Sequence, residues 1–493
     1  MTMPAATEAS NDTEYADFLI VGAGISGIGA AHHMRERFPD RSLVILEGRE
    51  RPGGTWWTHR YPGVRSDSDL HTYGYRFKPW RGPAIASGPA ILDYLDEVIA
   101  DDSLDERIRY NQRVTEASWS SEARRWTVTT ARGQTYTAAF LWMCPGYYDH
   151  DQPHQPGWPG LDDYTGQVIH PQRWPDGLGL AGKRVAVIGS GATAATIVPA
   201  IAQDAAHVTM VQRSPSYFLA PPRQNELAET LRALDIPEEW THEILRRSYI
   251  ARSDDLVRMS FDEPDELHKF FIEEMRPQLP EGFDIDKHFT PRYRPWQQRL
   301  GIVPEGDFFA ALRDGTADIV TGTIGTFTET GLRVDTGEGT EEIDADIVVT
   351  ATGFTMSLFG GIAFTVDGDP VDFTGRVTWR GLMISGVPSM AYVFGYLRYS
   401  WTLRADLVCD LVARMLEHME ARGAATVVPV PPEDLEHRPF CDPENFSAGY
   451  IMRAQDRLFK QGDREPWIHL LEYHEERDTL PAADLDDGTL FYS

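Results

Sequence analysis

Cysteine is scarce in this chain: there are three in 493 residues, Cys144, Cys409 and Cys441, far apart. No CxxC or CxxxxC pair occurs, so neither a zinc ribbon nor a redox-active disulfide is encoded, and no metal site is expected. Basic residues are also short, 46 against 75 acidic, which leaves a net charge of −29. That excess disfavours nucleic acid and anionic membrane as partners and favours solubility. A bound anion then needs cations placed locally, so individual arginines become informative. No apolar run approaches the length of a membrane span. Met1–Tyr15 is polar and acidic, with no apolar centre. It reads as a disordered tail, not a signal peptide, and the cytoplasm is the expected location. The remaining composition is that of a globular protein long enough for two or three domains.

Two glycine-rich turns stand far apart in what remains. The first, Gly22-Ala23-Gly24-Ile25-Ser26-Gly27, follows the apolar run Asp17–Val21 and opens a helical pattern over Ile25–Arg37. Leu43–Leu46 is the next strand and ends at Glu47. This is a βαβ unit with an acid at the end of its second strand. One glycine permits the tight turn, one lets backbone approach a pyrophosphate, and one lets helix pack on strand. The helix N-terminus faces the phosphates, and Glu47 is placed for a ribose hydroxyl. The alternative, a strand–helix turn without a ligand, leaves the spacing and the acid unexplained. Gly53-Gly54-Thr55-Trp56 follows, where paired glycines and an aromatic plane suit a flavin ring. Alone, it reads as a glycine turn beside a core tryptophan.

The second turn is Gly189-Ser190-Gly191-Ala192-Thr193-Ala194, after the strand Arg184–Ile188. Its unit closes on Val208–Val211 and then Gln212-Arg213-Ser214, with no acid. A carboxylate there would repel a 2′-phosphate, whereas Arg213 would pair with it, which favours NADPH over NADH. Two such turns in one chain imply two dinucleotides held face to face and electron transfer between them. Residues 223–290 are rich in Glu, Arg and Leu, with few strand-like runs, and read as a helical insertion. Leu403, Leu407, Leu411, Met415 and Met419 recur four apart before Gly423, a packing stripe with its C-cap.

The segment between the turns narrows the class. Tyr164, Gly166, His170 and Trp174-Pro175 match the pattern F-x-G-x-x-x-H-x-x-x-W-P, with tyrosine for the usual phenylalanine. This resembles the fingerprint of type I Baeyer–Villiger monooxygenases. Gly54-Thr55-Trp56 through Arg60-Tyr61-Pro62-Gly63 to Asp67 resembles that family's second signature. Phe289–Asp307 and Ser400–Leu407 resemble blocks of its ethionamide-activating subgroup, and the likeness covers nearly the whole chain.

The resemblance implies an α/β fold of two dinucleotide-binding, Rossmann-like domains with a helical insertion. A discontinuous FAD domain is expected at 1–149 and 351–493, because Ala351-Thr352-Gly353 ends a strand and returns the chain toward the flavin. The NADP domain at 150–350 should carry the insertion, about 223–295. The resemblance places Ser26, Glu47, Thr55, Trp56 and Asp67 on FAD. It places Arg65, Ser66, the Gly189–Ala194 turn, Gln212 and Arg213 on NADP. Arg299 falls on the transition-state stabiliser, with Asp67 orienting it, and His170 on the link between domains. As bare residues, Arg299 and His170 read as a surface charge and a satisfied loop histidine. The implied activity uses NADPH and O2 to convert ketones to esters or lactones through a C4a-peroxyflavin, and to oxygenate sulfides. A flavin monooxygenase confined to sulfur or nitrogen is the rival and needs no arginine at position 299. A nucleotide-binding regulatory protein that turns nothing over is the rival from another class. The ketone and the oligomeric state are not encoded legibly.

Overall fold

The computed structural model describes residues 13–493. Most of the expected tail, 1–12, lies outside the described residues. Its last part is corrected: Glu14 and Tyr15 already belong to the first strand, β1 (Glu14–Val21), where they pair with Tyr136 and Thr137.

β1 leads through the first glycine turn into α1 (Ile25–Arg37) and β2 (Leu43–Leu46). Two short helices, α2 (Thr55–Thr58) and α3 (Leu70–Tyr73), and then α4 (Gly88–Asp101) precede β3 (Ile108–Arg109). β4 (Val114–Ser120), β5 (Arg125–Thr130) and β6 (Thr135–Met143) form an antiparallel meander. β1 lies parallel between β2 and β6, and these core strands read as continuous apolar runs because both faces are covered. Helix α1 and much of the chain's C-terminal part cover one face, and the segments around Phe359, Phe440 and Phe459 cover the other.

The second sheet has five strands, all parallel. β7 (Gln167–Ile169), β8 (Arg184–Ile188) and β9 (His207–Gln212) are joined by the strands Ala317–Thr321 and Ile347–Thr350. The second glycine turn joins β8 to α5 (Ala192–Ile201). The two glycine turns therefore belong to different sheets. The chain then returns: Ala363–Val366 pairs with β4, and Met390–Tyr392 pairs with β6.

The insertion comprises α6 (Glu226–Ala233), α7 (Glu238–Asp262), α8 (Pro264–Met275) and α9 (Ile285–Phe289). Residues 290–295, expected within it, are non-helical. The insertion also packs on both halves rather than on the second alone. Buried Arg246 of α7 donates to the carbonyls of His71, Thr72 and Gly74 and to Asp406. These bonds satisfy the open C-terminal carbonyls of α3, the kind of end that a cation suits. After α10 (Asp307–Arg313), the long helix α11 (Trp401–Arg422) ends at Gly423 with φ +64°. Leu403, Leu411, Met415 and Met419 of the stripe are buried and Leu407 is partly so; four of the five pack in the core that α1 covers and Leu403 in a neighbouring cluster, as the four-residue spacing predicts.

Candidate active site

Both glycine turns open onto one cavity of about 1330 Å³ between the two sheets. Small-molecule sites usually hold roughly 300–1,000 Å³, so this volume suits more than one ligand. It lies beyond the carboxyl ends of parallel strands, where α/β folds place ligands.

The turns have the shape that dinucleotides need. Gly22 has φ +101°, and a Cβ there would sit 2.4 Å from the Cys144 carbonyl oxygen. A Cβ on Gly27 would come within 1.9 Å of the Gly22 carbonyl oxygen, so α1 packs against its strand only with glycine. Gly54 faces Gly24 across the turn, and a Cβ on Gly54 would lie 3.2 Å from the Gly24 Cα. Side chains at this pair would fill the approach to the N-terminus of α1. Gly191 stands at the start of α5 with nothing within 4 Å of its Cβ position, which leaves that helix end open to a phosphate. Glu47 is buried at the end of β2 and accepts the Ala23 and Arg49 N–H groups at 2.8 and 2.9 Å. Burial raises its pKa, against the pull of those two bonds. Each turn thus leaves room for the pyrophosphate of a dinucleotide to approach its helix N-terminus.

The cavity brings together Gly22, Gly24, Ser26, Glu47, Gly54, Thr55, Trp56, Arg65, Ser66, Asp67, Gly189–Thr193, Arg213 and Arg299. Gly27 and Ala194 sit just behind, where helix meets strand. Gln212 departs from its expected place. It is fully buried, and its amide donates to the His288 carbonyl and Thr321 Oγ1 at 2.7 and 2.8 Å, away from the cavity. An alternating strand residue that ends β9 faces the sheet's packing layer, and its neighbour Arg213 takes the open side. Arg65 reaches the cavity with its guanidinium paired to Asp307 of α10, which ties the two halves.

Arg299 follows a non-helical loop and reaches Asp67 from the other half. Nε and Nη2 both donate to Asp67 Oδ2, and Nη1 donates to the Leu397 carbonyl. Burial alone would lower the Arg299 pKa. The Asp67 carboxylate, with smaller contributions from Tyr450, Tyr147 and Tyr148, outweighs it and raises the value above that of an ordinary arginine. The guanidinium is therefore a fixed cation.

Aromatic residues around this pair were not legible as site residues. Tyr147 and Tyr148 share a hydroxyl–hydroxyl bond of 2.6 Å. Tyr147 stacks on Trp401, whose indole N–H donates to Ser26 Oγ at 2.7 Å. Trp56 donates to the Tyr73 hydroxyl at 2.9 Å. Burial, and after it Tyr147, holds the Tyr450 phenol far above its usual pKa, so it stays protonated. Tyr147 and Tyr148 had a usable signal, since they follow the apolar strand β6 at its carboxyl end. Tyr450 had none.

Histidines gather where the halves meet. His59, His150 and Phe354 contact one another through His59, edge to face. His170 of the central fingerprint is buried nearby, with Nδ1 accepting the Gln172 N–H. The fingerprint tyrosine, Tyr164, donates its hydroxyl to the Ala345 carbonyl at 2.9 Å, a packing role.

Comparison with known proteins agrees with this geometry. A family model described as pyridine nucleotide-disulphide oxidoreductase matches residues 19–253. The three cysteines of this chain are all buried and free, so the match reflects the dinucleotide units and not a disulfide centre. FAD-containing monooxygenase EthA of Mycolicibacterium smegmatis is 48% identical over 487 residues, 98% of both chains. Its Mycobacterium tuberculosis counterpart is 44% identical over the same span and the same shares. Probable FAD-binding monooxygenase AlmA of Acinetobacter baylyi is 41% identical over 97% of this chain and 96% of its own. Among solved structures, an NADP-bound oxidized steroid monooxygenase superposes with a TM-score of 0.76 at 24% identity, covering 97% of this chain and 99% of that one. An open form of cyclohexanone monooxygenase gives 0.74 at 20% identity, covering 98% and 100%.

Proposed function

The chain belongs to the family of FAD-containing monooxygenases, and from that premise we propose that it is an NADPH-dependent Baeyer–Villiger enzyme. It converts a ketone, O2, NADPH and a proton to an ester or lactone, water and NADP+, and it also oxygenates sulfides. The observation that carries this reading is the Arg299–Asp67 pair, anchored to the Leu397 carbonyl inside the cavity shared by both glycine turns.

Bound FAD, reduced by NADPH, supplies the activation of O2 that no side chain here can perform. The protein's part is binding, orientation and charge. The N-terminus of α1, Glu47 and Gly54 hold the flavin dinucleotide. The N-terminus of α5 and Arg213 hold the nicotinamide dinucleotide, with Arg213 on the 2′-phosphate. Arg299 stabilises the oxyanion that develops when the carbonyl is attacked. A preorganised cation in a site shielded from water acts strongly and needs no reorganisation during reaction. Asp67 fixes the plane of that guanidinium. Tyr147, Tyr148, Tyr450 and Trp401 wall the site with protonated phenols and an indole, which exclude water.

The test is a ketone and sulfide panel with the FAD-loaded enzyme, NADPH and 18O2, read by mass spectrometry. Ketone-stimulated NADPH oxidation with one labelled oxygen in an ester supports the reading. Sulfoxides or N-oxides without any ester would favour the sulfur- and nitrogen-oxidising rival. Absence of turnover with tight NADPH binding would favour a regulatory role.

A further inference from the structure

Six arginines face the cavity: Arg49, Arg65, Arg113, Arg213, Arg299 and Arg453. Three are neutralised by the chain itself, Arg65 by Asp307, Arg113 by Asp151 and Arg299 by Asp67. Among the described residues, Arg49, Arg213 and Arg453 have no carboxylate within ion-pair distance, although acidic residues outnumber basic ones 75 to 46. Arg49 belongs to the flavin side, beside Glu47. The other two converge from opposite halves. Arg213 follows β9 of the second sheet, whereas Arg453 follows the short helix Gly449–Met452 in the C-terminal part.

Burial, and after it the positive charge of Arg213, lowers the Arg453 pKa. Arg213 follows β9, and Arg453 bonds to the segment that follows the strand Ile347–Thr350, two places along the same sheet, so both guanidiniums stand at its carboxyl edge on the shared cavity. The chain seats Arg453 firmly: Nη2 donates to the Phe354 carbonyl at 3.2 Å. Cβ positions on Gly353 and Gly449 lie 3.6 and 3.0 Å from its guanidinium nitrogens. Both guanidiniums are exposed on the cavity wall and, among the described residues, have no carboxylate partner, so together they offer charge-assisted donors to an anion that enters there.

We propose that Arg453 is a second guanidinium for the nicotinamide coenzyme's 2′-phosphate, shared with Arg213, so that the coenzyme bridges the second sheet and the C-terminal part of the chain. The inference rests on the NADPH reading above, and it adds a ligand from the flavin side. Binding of the phosphate then draws the two halves together, because each contributes one of its two cations.

The experiment compares FAD-loaded wild type with Arg453→Ala, Arg453→Lys, Arg213→Ala and the double alanine variant. Calorimetry gives the affinity for 2′,5′-ADP and for 5′-AMP without any turnover, and steady-state rates give KM for NADPH and NADH. Flavin absorbance and unfolding temperature check folding. Arg453→Ala should weaken 2′,5′-ADP by about tenfold or more and leave 5′-AMP unchanged, as for loss of a charge-assisted contact. Lysine should restore part of the loss. The double variant should lose less than the sum of the singles, because both residues serve one phosphate. Unchanged 2′,5′-ADP affinity in Arg453→Ala overturns the inference alone, and so does equal weakening of both nucleotides. Wild type that binds 5′-AMP as tightly as 2′,5′-ADP overturns the NADPH reading and the inference with it.

Discussion

Arg299 directs two donors, Nε at 3.1 Å and Nη2 at 2.8 Å, to a single oxygen of Asp67, Oδ2. The side edge of the guanidinium is thereby fixed, and Nη1 is fixed by the Leu397 carbonyl at 3.1 Å. The two residues come from distant parts of the chain, so their meeting depends on closure of both halves around the cavity. An ammonium at position 299 could satisfy one of these acceptors but not hold the plane.

Arg299→Ala should therefore retain FAD and still oxidise NADPH, with the electrons recovered as hydrogen peroxide. Ester formation should fall below detection, because losing a charge partner of the transition state costs several kcal/mol, roughly 2.7–4 by analogy with an oxyanion donor. Arg299→Lys should recover little. Slower NADPH oxidation alone does not count against the idea, since Arg299 lines the same cavity as both glycine turns. Near-normal ester yield per NADPH in the alanine variant would sink it.

Arg213→Ala should raise the KM for NADPH well above tenfold and change that for NADH little. A charge-assisted phosphate contact contributes roughly 1.5–3 kcal/mol, about one to two decades. Parallel initial-rate measurements with the two coenzymes decide it. Equal losses would mean that Arg213 does not touch the 2′-phosphate.

Much of this was legible because parallel strands, glycine turns and terminal acids are local features with fixed spacing. Gly22–Gly27 with Glu47, and Gly189–Ala194 with Arg213, are each contained within one βαβ unit. Gln212 was misplaced because a strand's last residue can face either the cavity or the packing layer, and its own spacing does not say which. Tyr450 and Leu397 were invisible because their neighbours are remote in sequence, and Leu397 acts through its backbone carbonyl. The two-sided docking of the insertion was missed because Arg246 reads, in a helix rich in Glu and Arg, as one more solvated charge.

The buried pair Arg404–Glu476 should control stability. Arg404 is fully buried and meets the carboxylate through Nε and Nη2 at 2.8 and 3.0 Å. Its other donors reach the Gly381, Phe394 and Arg380 carbonyls, so it joins α11 to two distant segments. Glu476→Ala should cost about 3–5 kcal/mol, because it strands a guanidinium in the core. Arg404→Met combined with Glu476→Leu should cost less than Glu476→Ala alone. Chemical unfolding of the three proteins orders them, and a double variant weaker than the single would contradict this account.

The histidines between the halves should make stability fall on mild acidification. Burial first, then neighbouring positive charge, pushes His59 down to about 3 and His150 to about 4. Burial likewise takes His170 to about 4. Each folded-state value lies below the ordinary 6.5, so the unfolded chain binds these protons first. Their contribution to stability is complete above about pH 6.5 and is lost as pH falls toward the folded values. Each group adds a slope approaching about 1.4 kcal/mol per pH unit within that window. Among the described residues neither ring nitrogen of His59 hydrogen-bonds to the protein, and its ring packs edge-on against Tyr61, His150 and Phe354. Phenylalanine keeps that packing and cannot take a proton. His59→Phe should therefore match wild type at pH 7.5 and outlast it at pH 5, where most carboxylates are still ionised. Unfolding temperatures of the FAD-loaded proteins across that range provide the comparison, and parallel pH profiles would remove His59 from the explanation.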